Sequence, residues 1–317
     1  MTIEGFHLYF WKGDYYMKKK SLGVTLKNQW QYFAMLLPGV IVTFIFCYIP
    51  LYGVIIAFED YNVSMGFHSP WVGLKNFTYL FSQPTFVRTI RNTMFIAVWK
   101  LVLGVVVPVT FALLLNEMRS NKLKRVYQTL IYIPNFLSWI IMAGVLMDIL
   151  DTEGAINMIL SSMGLNTVNF LGSAAVFPWT MIVSDVWKGF GYGTIVYLAA
   201  LTGIDPGLYE SAYLDGATRW QQIKRITIPL LMPTIVLMTI LSLGNVLNAG
   251  FDQIYNMYSP AVWETGDIID TYVYRLGIVQ AQYSVGAAVG LFKSVISAIL
   301  VAVSYVLADK VAGYRIL

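Results

Sequence analysis

Three lysines stand where a lysine is costly. Lys100, Lys188 and Lys293 each lie inside a mostly apolar run long enough to cross a bilayer, and an ammonium group at that depth must pair, reach an interface or face water. Set near one depth, the three cations could line a path for an acidic solute; equally, each could pair with a carboxylate or snorkel to an interface. Asn245 and Asn248 lie three residues apart in another apolar run, on one face of a helix. Asn135, Ser138, Trp139, Trp187, Tyr192 and Tyr197 add amides, a hydroxyl and rings in neighbouring runs. Rings pack against C–H surfaces and amides exchange hydrogen bonds with hydroxyls, which suits a wet passage that must release what it binds. Ordinary helix packing accounts for the aromatics as well.

The elements that must position these residues follow from the composition. Of 317 residues 57% are hydrophobic and 12% charged, about half the charge of a soluble domain. Apolar runs predict an all-α polytopic fold of six transmembrane helices at about 33–58, 88–116, 125–149, 176–202, 226–249 and 285–308. With the N-terminus cytoplasmic, 14 of the 21 Lys and Arg fall on the inner side and the 150–175 loop has none, so both termini are expected in the cytoplasm. Residues 1–32 then form a cytoplasmic N-terminal segment and residues 33–317 the membrane domain. The first twenty residues lack the small-residue cleavage site of a secretory signal. Met17, followed by three lysines, would also serve as a start, leaving 1–16 as an extension. The alternating Gly189, Gly191 and Gly193 predict a kink or unwound turn in the fourth helix, or a close approach. Gly286 and Gly290 would let another helix, of this chain or a second subunit, come near.

The richest stretch is residues 203–233, GIDPGLYESAYLDGATRWQQIKRITIPLLMP, expected on the inner side between the fourth and fifth helices. Asp205 and Pro206 can start a helix. Leu208, Tyr209, Ala212 and Tyr213 give it an apolar stripe, and Gly216 can end it with φ above zero. A second turn through Arg219, Trp220, Ile223 and Lys224 leads to Pro229. The expected product is a bent amphipathic knob spanning 203–229.

Glu210, Ser211, Ala212, Gly216, Ile226 and Pro229 resemble, gap for gap, the EAA signature of bacterial ABC-importer permeases, with Ser211 where Ala is usual and Ile228 where Leu is usual. YIPLYGVIIAFEDYN at 48–62, SPWVGLKNF at 69–77, RNTMFIAVWK at 91–100, YIPNFLSW at 132–139, FDQIYNMY at 251–258 and GLFKSV at 290–295 resemble the sugar-importer branch of that family, and most nearly its complex-polysaccharide and alginate-oligosaccharide group. The resemblance implies a transport subunit of the bacterial cytoplasmic membrane that forms half of an oligosaccharide pathway. Its implied partners are a second permease chain, two ATP-binding-cassette ATPases and an external solute-binding protein, in a lipid setting. In the family the glutamate and glycine of the signature serve coupling, a role carried to Glu210 and Gly216, with Ser211, Ala212, Asp215, Ile226 and Pro229 beside them as ATPase-coupling candidates; by their own chemistry Asn245, Asn248, Lys100, Lys188, Lys293, Trp187, Tyr197 and Asn135 are the pathway candidates. Acidic sugars would suit the lysines.

Other functions are disfavoured. No G-x-x-x-x-G-K-[ST] loop is present to hold nucleotide phosphates, so ATP and magnesium are expected on the partners and no cofactor on this chain. One cysteine, Cys47, and two histidines, His7 and His68, predict no metal site. No nucleophile–base pair suggests catalysis, and the net charge of +4 forms no extended stripe for nucleic acid. A permease for a non-sugar solute would keep the knob; a secondary transporter or channel would need no ATPase.

Overall fold

The computed structural model describes the backbone of residues 22–312 and the side chains of residues 30–306; His7 and the expected extension 1–16 lie outside the described residues. Among them there is no strand, only helices, turns and one isolated bridge between Glu59 and Trp71. The chain divides into two units, 1–53 and 54–317.

In the first unit α1 (Leu22–Thr43) runs into a π turn, Phe44–Tyr48; the 3-10 stretch Ile49–Phe58 begins there and ends in the second unit. The helical run Trp30–Phe58 is 29 residues long and apolar enough to cross a membrane.

The second unit is organised around two long helices. A short α2 (Lys75–Ser82) precedes α3 (Pro84–Asn116), which starts on a proline whose missing N–H costs nothing in the first turn. Ser120 caps α4 (Asn121–Phe136) and Ser138 caps α5 (Trp139–Leu150), each hydroxyl accepting a backbone N–H three residues on. The third expected span is therefore not continuous. Pro134 removes a helical donor and Leu137 is extended, and the axis turns by 106° between Asn121–Phe136 and Trp139–Ser162. The break falls inside YIPNFLSW. A short α6 (Ala155–Ser162) follows, and then α7 (Phe177–Thr202), which packs along α3.

Of the readings of the α7 glycines close approach holds, and the fifth expected span is corrected. The helix is unbroken across Gly189, Gly191 and Gly193. Gly191 serves close approach instead: a Cβ there would lie 2.0 Å from the Ile131 carbonyl oxygen, and one on Gly193 3.1 Å from Pro108 Cγ. The fifth expected span ends early. After α8 (Pro206–Leu214), α9 (Arg219–Gln222) and a π turn at Ile223–Thr227, α10 (Ile228–Leu243) stops before Gly244, and Asn245 and Asn248 sit in a turn rather than on a helix face. Glycines at 244 and 250 and two asparagines are poor helix formers, and the Ala249 carbonyl is taken by Lys100 Nζ at 2.8 Å.

The segment expected as the last long loop is itself helical, as α11 (Phe251–Met257), α12 (Trp263–Gly266) and α13 (Ile269–Val273), followed by a π turn at Tyr274–Val279 and by α14 (Tyr283–Ala312). A Cβ on Gly286 would lie 2.8 Å from Gly277 Cα, so the close approach that Gly286 permits is to this segment; a Cβ on Gly290 would meet nothing within 4 Å.

Four helices among the described residues are long and apolar enough to cross a membrane, Trp30–Phe58, Pro84–Asn116, Arg219–Leu243 and Tyr283–Val306, and the bent pair makes a fifth if it counts as one. The 26-residue α7 is long enough but diluted by Asp185, Lys188 and glycines. Its position explains the composition: Met181, Ile182, Ser184, Thr194, Tyr197 and Leu201 are buried, and a helix walled by protein is free to carry polar groups. Phe177, Met181 and Ile182 join Ile96, Met142 and Ile254 in one core cluster; Tyr197, Leu198 and Leu201 join Ala112, Leu115 and Leu231 in another.

Candidate functional site

Two arrangements could carry function: the knob and a track of polar groups. The knob is built locally. Asp205 accepts the Gly207 N–H at 2.9 Å and Pro206 opens α8. The helix ends in a Schellman motif, with the Gly216 N–H on the Tyr213 carbonyl (3.0 Å) and the Ala217 N–H on the Ala212 carbonyl (2.9 Å). Gly216 has φ +79°, a backbone region that β-carbons resist. A capping box between Thr218 and Gln221 then starts α9. Tyr209 and Thr227 hydroxyls meet at 3.0 Å, and buried Gln222 accepts from Arg219 at 3.3 Å, closing the bend onto the helical run that becomes α10.

This closed bend leaves an apolar surface uncovered. Leu208, Tyr213, Leu214 and Trp220 are exposed, Leu214 by 85% and Trp220 by 69%. The expected stripe is thus only half inward: Tyr209 and Ala212 are partly buried, while Leu208 and Tyr213 face out. Tyr209, Glu210, Tyr213, Leu214, Arg219 and Gln222 line a cleft of about 470 Å³. The Glu210 carboxylate forms no ion pair among the described residues. Ser211 spends its hydroxyl on the Gly207 carbonyl. Ala212, Asp215, Gly216 and Ile226 border a second hollow of about 360 Å³, and Pro229 is exposed at the start of α10. An uncompensated acid among exposed rings can dock a basic, partly apolar surface.

The track joins residues that are remote in sequence. Lys100 on α3 reaches Asp185 on α7 at 3.4 Å and donates to the Ala249 carbonyl and to Gln253 Oε1. Gln253 is fully buried and donates onward to the Met181 carbonyl and to Ser184 Oγ, both at 2.8 Å. Lys293 on α14 pairs with Asp270 and donates to Asn248 Oδ1 at 2.7 Å. Asn248 in turn donates to Asn245 Oδ1 at 3.4 Å. Lys100, Asp185, Asn245 and Asn248 line one cavity of about 170 Å³. Asn248 also borders a larger cavity, of about 450 Å³, with Lys293 and Asp270.

The expected pathway residues therefore separate. Lys100, Lys293, Asn245 and Asn248 come together. Two of the three lysines are neutralised by carboxylates, which leaves Lys188 without a carboxylate within ion-pair distance among the described residues. Its Nζ donates to the Asn135 carbonyl at 3.2 Å and sits 5.2 Å over the Trp139 ring, contacts that satisfy a donor without cancelling a charge. Tyr197 is only 2% exposed within the core and offers no ring to a solute. Trp187 lines a separate apolar crevice of about 440 Å³ with Leu146, Phe170 and Trp179. Sequence reading missed Asp185 and Asp270; the cost of charge in an apolar run, which singled out Lys188, applies equally to Asp185 three residues earlier.

Beside the track, the segment 260–276 is pinned to α3. Asn92 donates to the Glu264 and Asp267 carbonyls, and Thr93 Oγ1 accepts the Ile269 N–H. Asp267 is gripped by both Arg275 guanidinium nitrogens, and Arg275 lies 4.2 Å over the Trp263 ring. Burial alone would lower the Arg275 pKa; the hydrogen bond and charge of Asp267 more than offset it, so the group is held above its ordinary value.

Comparison with known proteins places this geometry. Over 295 residues, 92% of each chain, the sequence is 41% identical to the polygalacturonan/rhamnogalacturonan transport system permease protein YteP of Bacillus subtilis (strain 168). It is 29% identical over 287 residues, 89% of this chain and 94% of the relative, to the trehalose/maltose transport system permease protein MalF of Thermococcus litoralis. A chain in the crystal structure of a bacterial alginate ABC transporter in complex with an alginate pentasaccharide-bound periplasmic protein superposes with a TM-score of 0.86 at 38% identity, covering 94% of this chain and 100% of that one. Residues 104–313, which hold the knob and every lining residue of the larger cavity of the track, match the family described as binding-protein-dependent transport system inner membrane component, and the chain belongs to that family.

Proposed function

We propose that this chain is the permease subunit of an ATP-binding-cassette importer that carries an oligosaccharide, including acidic ones, across a bacterial cytoplasmic membrane. Six spans cross the bilayer, the broken α4–α5 pair and the central α7 among them, with both termini in the cytoplasm and residues 1–32 as the N-terminal segment. The chain pairs with a second permease of different sequence. It receives sugar from an external solute-binding protein and takes its energy from two ATPase subunits that bind the ATP and magnesium; the alginate relative is crystallised in complex with an alginate pentasaccharide-bound periplasmic protein.

The observation that carries this reading is the folded knob at 203–229, a helix stopped by a left-handed Gly216, with exposed rings beside it and with Glu210 in no ion pair among the described residues. Its exposed face fits a socket on an ATPase, and Ile226 and Pro229 join it to α10, so motion of the ATPases would move the helix that leads to Asn245 and Asn248. Sugar chemistry is supported by the names of the relatives and by the amides and ion pairs of the track. With Lys100 and Lys293 neutralised, Lys188 is the residue to which selectivity for an acidic sugar falls. The test is substitution of Gly216 or Glu210 in a complex that still inserts: loss of ATPase docking or of uptake is expected, and normal docking with normal uptake would remove the role given to the knob.

A further inference from the structure

The larger cavity of the track is lined in part by aromatic rings from α11 and from the π turn at Tyr274–Val279. Phe251 and Tyr255 on α11 stack with ring centres 5.2 Å apart. Tyr274 stands edge-on to Tyr255 at 4.9 Å and lies 5.7 Å from Phe251. The Tyr255 hydroxyl donates to the Tyr274 hydroxyl at 3.3 Å, which fixes the orientation of the Tyr274 ring. Phe251 and Tyr274 line the cavity, together with Asn248, Asp270, Ile278 and Lys293. Its volume of about 450 Å³ lies within the range of about 300–1,000 Å³ usual for small-molecule sites.

The same cavity offers matched hydrogen-bonding groups. Lys293 spends two of its three donors, on Asp270 Oδ1 and Asn248 Oδ1, and Asp270 engages only Oδ1 among the described residues. One donor and one acceptor are left side by side on a pair whose charges cancel. A vicinal diol satisfies both at once, by accepting from the ammonium and donating to Asp270 Oδ2. A carboxylate cannot do both, since it accepts from the ammonium but has no proton for Asp270 Oδ2. Aromatic rings and a donor–acceptor pair lining one cavity are what a pyranose needs, because its C–H face is apolar and its rim is hydroxylic. Asn248 borders both this cavity and the one that holds Lys100 and Asp185.

Resting on the sugar reading above, we propose that this cavity is an outer subsite for one sugar ring of the transported oligosaccharide. Phe251 and Tyr274 pack on the ring face, Asp270 and Lys293 hold adjacent hydroxyls, and Asn248 passes the ring inward. The subsite reads hydroxyls irrespective of substrate charge and so acts separately from Lys188.

Ile278, 63% exposed on the cavity rim, gives a direct probe. In the complete complex with ATP and binding protein, Ile278→Cys in a Cys47→Ser background is labelled with maleimide in the presence and absence of oligogalacturonides or maltotriose. The transported sugar is expected to slow labelling about fivefold, a binding effect of roughly 1 kcal/mol. Tyr274→Ala and Asp270→Asn should abolish that protection and Tyr274→Phe should retain it. Labelling unaffected by a sugar that the unmodified complex imports, or protection that survives Tyr274→Ala, overturns the subsite. Should Tyr274→Ala fail to assemble, the same reading is taken from Phe251→Leu, where retained protection is again contradictory. Uptake of neither sugar by the unmodified complex overturns the sugar reading and the subsite with it.

Discussion

The knob and the track differ in how far along the chain their contacts reach. The fixing contacts of the knob are all local: Asp205 with Gly207, Thr218 with Gln221, and the widest of them, Tyr209 with Thr227, spans 18 residues. In the track Lys100 meets Gln253 across 153 positions, and beside it Asn92 meets Asp267 across 175. A local device can be borne by any scaffold that keeps its ends together. A long-range one exists only when the whole bundle is assembled, so substitutions there should cost stability, whereas those in the knob should cost coupling.

The largest effect expected within that contrast is on Gly216. Gly216→Val places a β-branched residue at φ +79°, a local cost of about 1–2 kcal/mol that reshapes the turn without touching the core. ATP-driven uptake should fall at least tenfold while the complex keeps its thermal midpoint, which proteoliposome assays and differential scanning would report together. Lys100→Met should do the reverse. It strips the Ala249 carbonyl, Gln253 and Asp185 of a shared partner, at about 2–3 kcal/mol, and should be seen first as a lower melting temperature of the purified complex. Adding Asp185→Asn should recover only part, because the backbone carbonyl stays unpaired.

Smaller and more selective is Lys188→Met. No carboxylate is left stranded, so stability should change by less than about 1 kcal/mol, while the uptake ratio of acidic to neutral oligosaccharide should fall severalfold; an unchanged ratio would take selectivity away from Lys188. Smallest is Arg275→Lys. A lysine keeps the charge but loses the fork on Asp267 and the stacking on Trp263, at about 1 kcal/mol, and faster hydrogen exchange at Asp267–Thr271 would register it.

The same difference in range governs what could be read in advance. Proline and aspartate at a helix start, and glycine where a helix must turn back, have local physical meaning, so the shape of 203–229 was legible residue by residue. Apolar runs were legible as helices too, but not their ends. The early stop of α10 falls at Gly244, where the glycines and asparagines of 244–250 are diluted by the apolar average, and the break at Leu137 rests on a proline and a serine cap that the same average conceals. The lysines were visible as costly, but whether each was neutralised depended on Asp185 and Asp270, whose proximity no spacing rule encodes. Tyr197 shows the opposite error: a ring at a plausible depth, turned into the core by the packing of α7 between α3 and α10.

The reading of the chain as half of an ATP-driven pathway is tested most directly by loading proteoliposomes, each carrying the complete complex and supplied with binding protein outside, with or without ATP in the compartment that the knob faces. Accumulation of labelled oligosaccharide that requires ATP there, and that disappears with Gly216→Val while the ATPases remain bound, is the expected result. Equal uptake without ATP, or accumulation indifferent to Gly216, would contradict it.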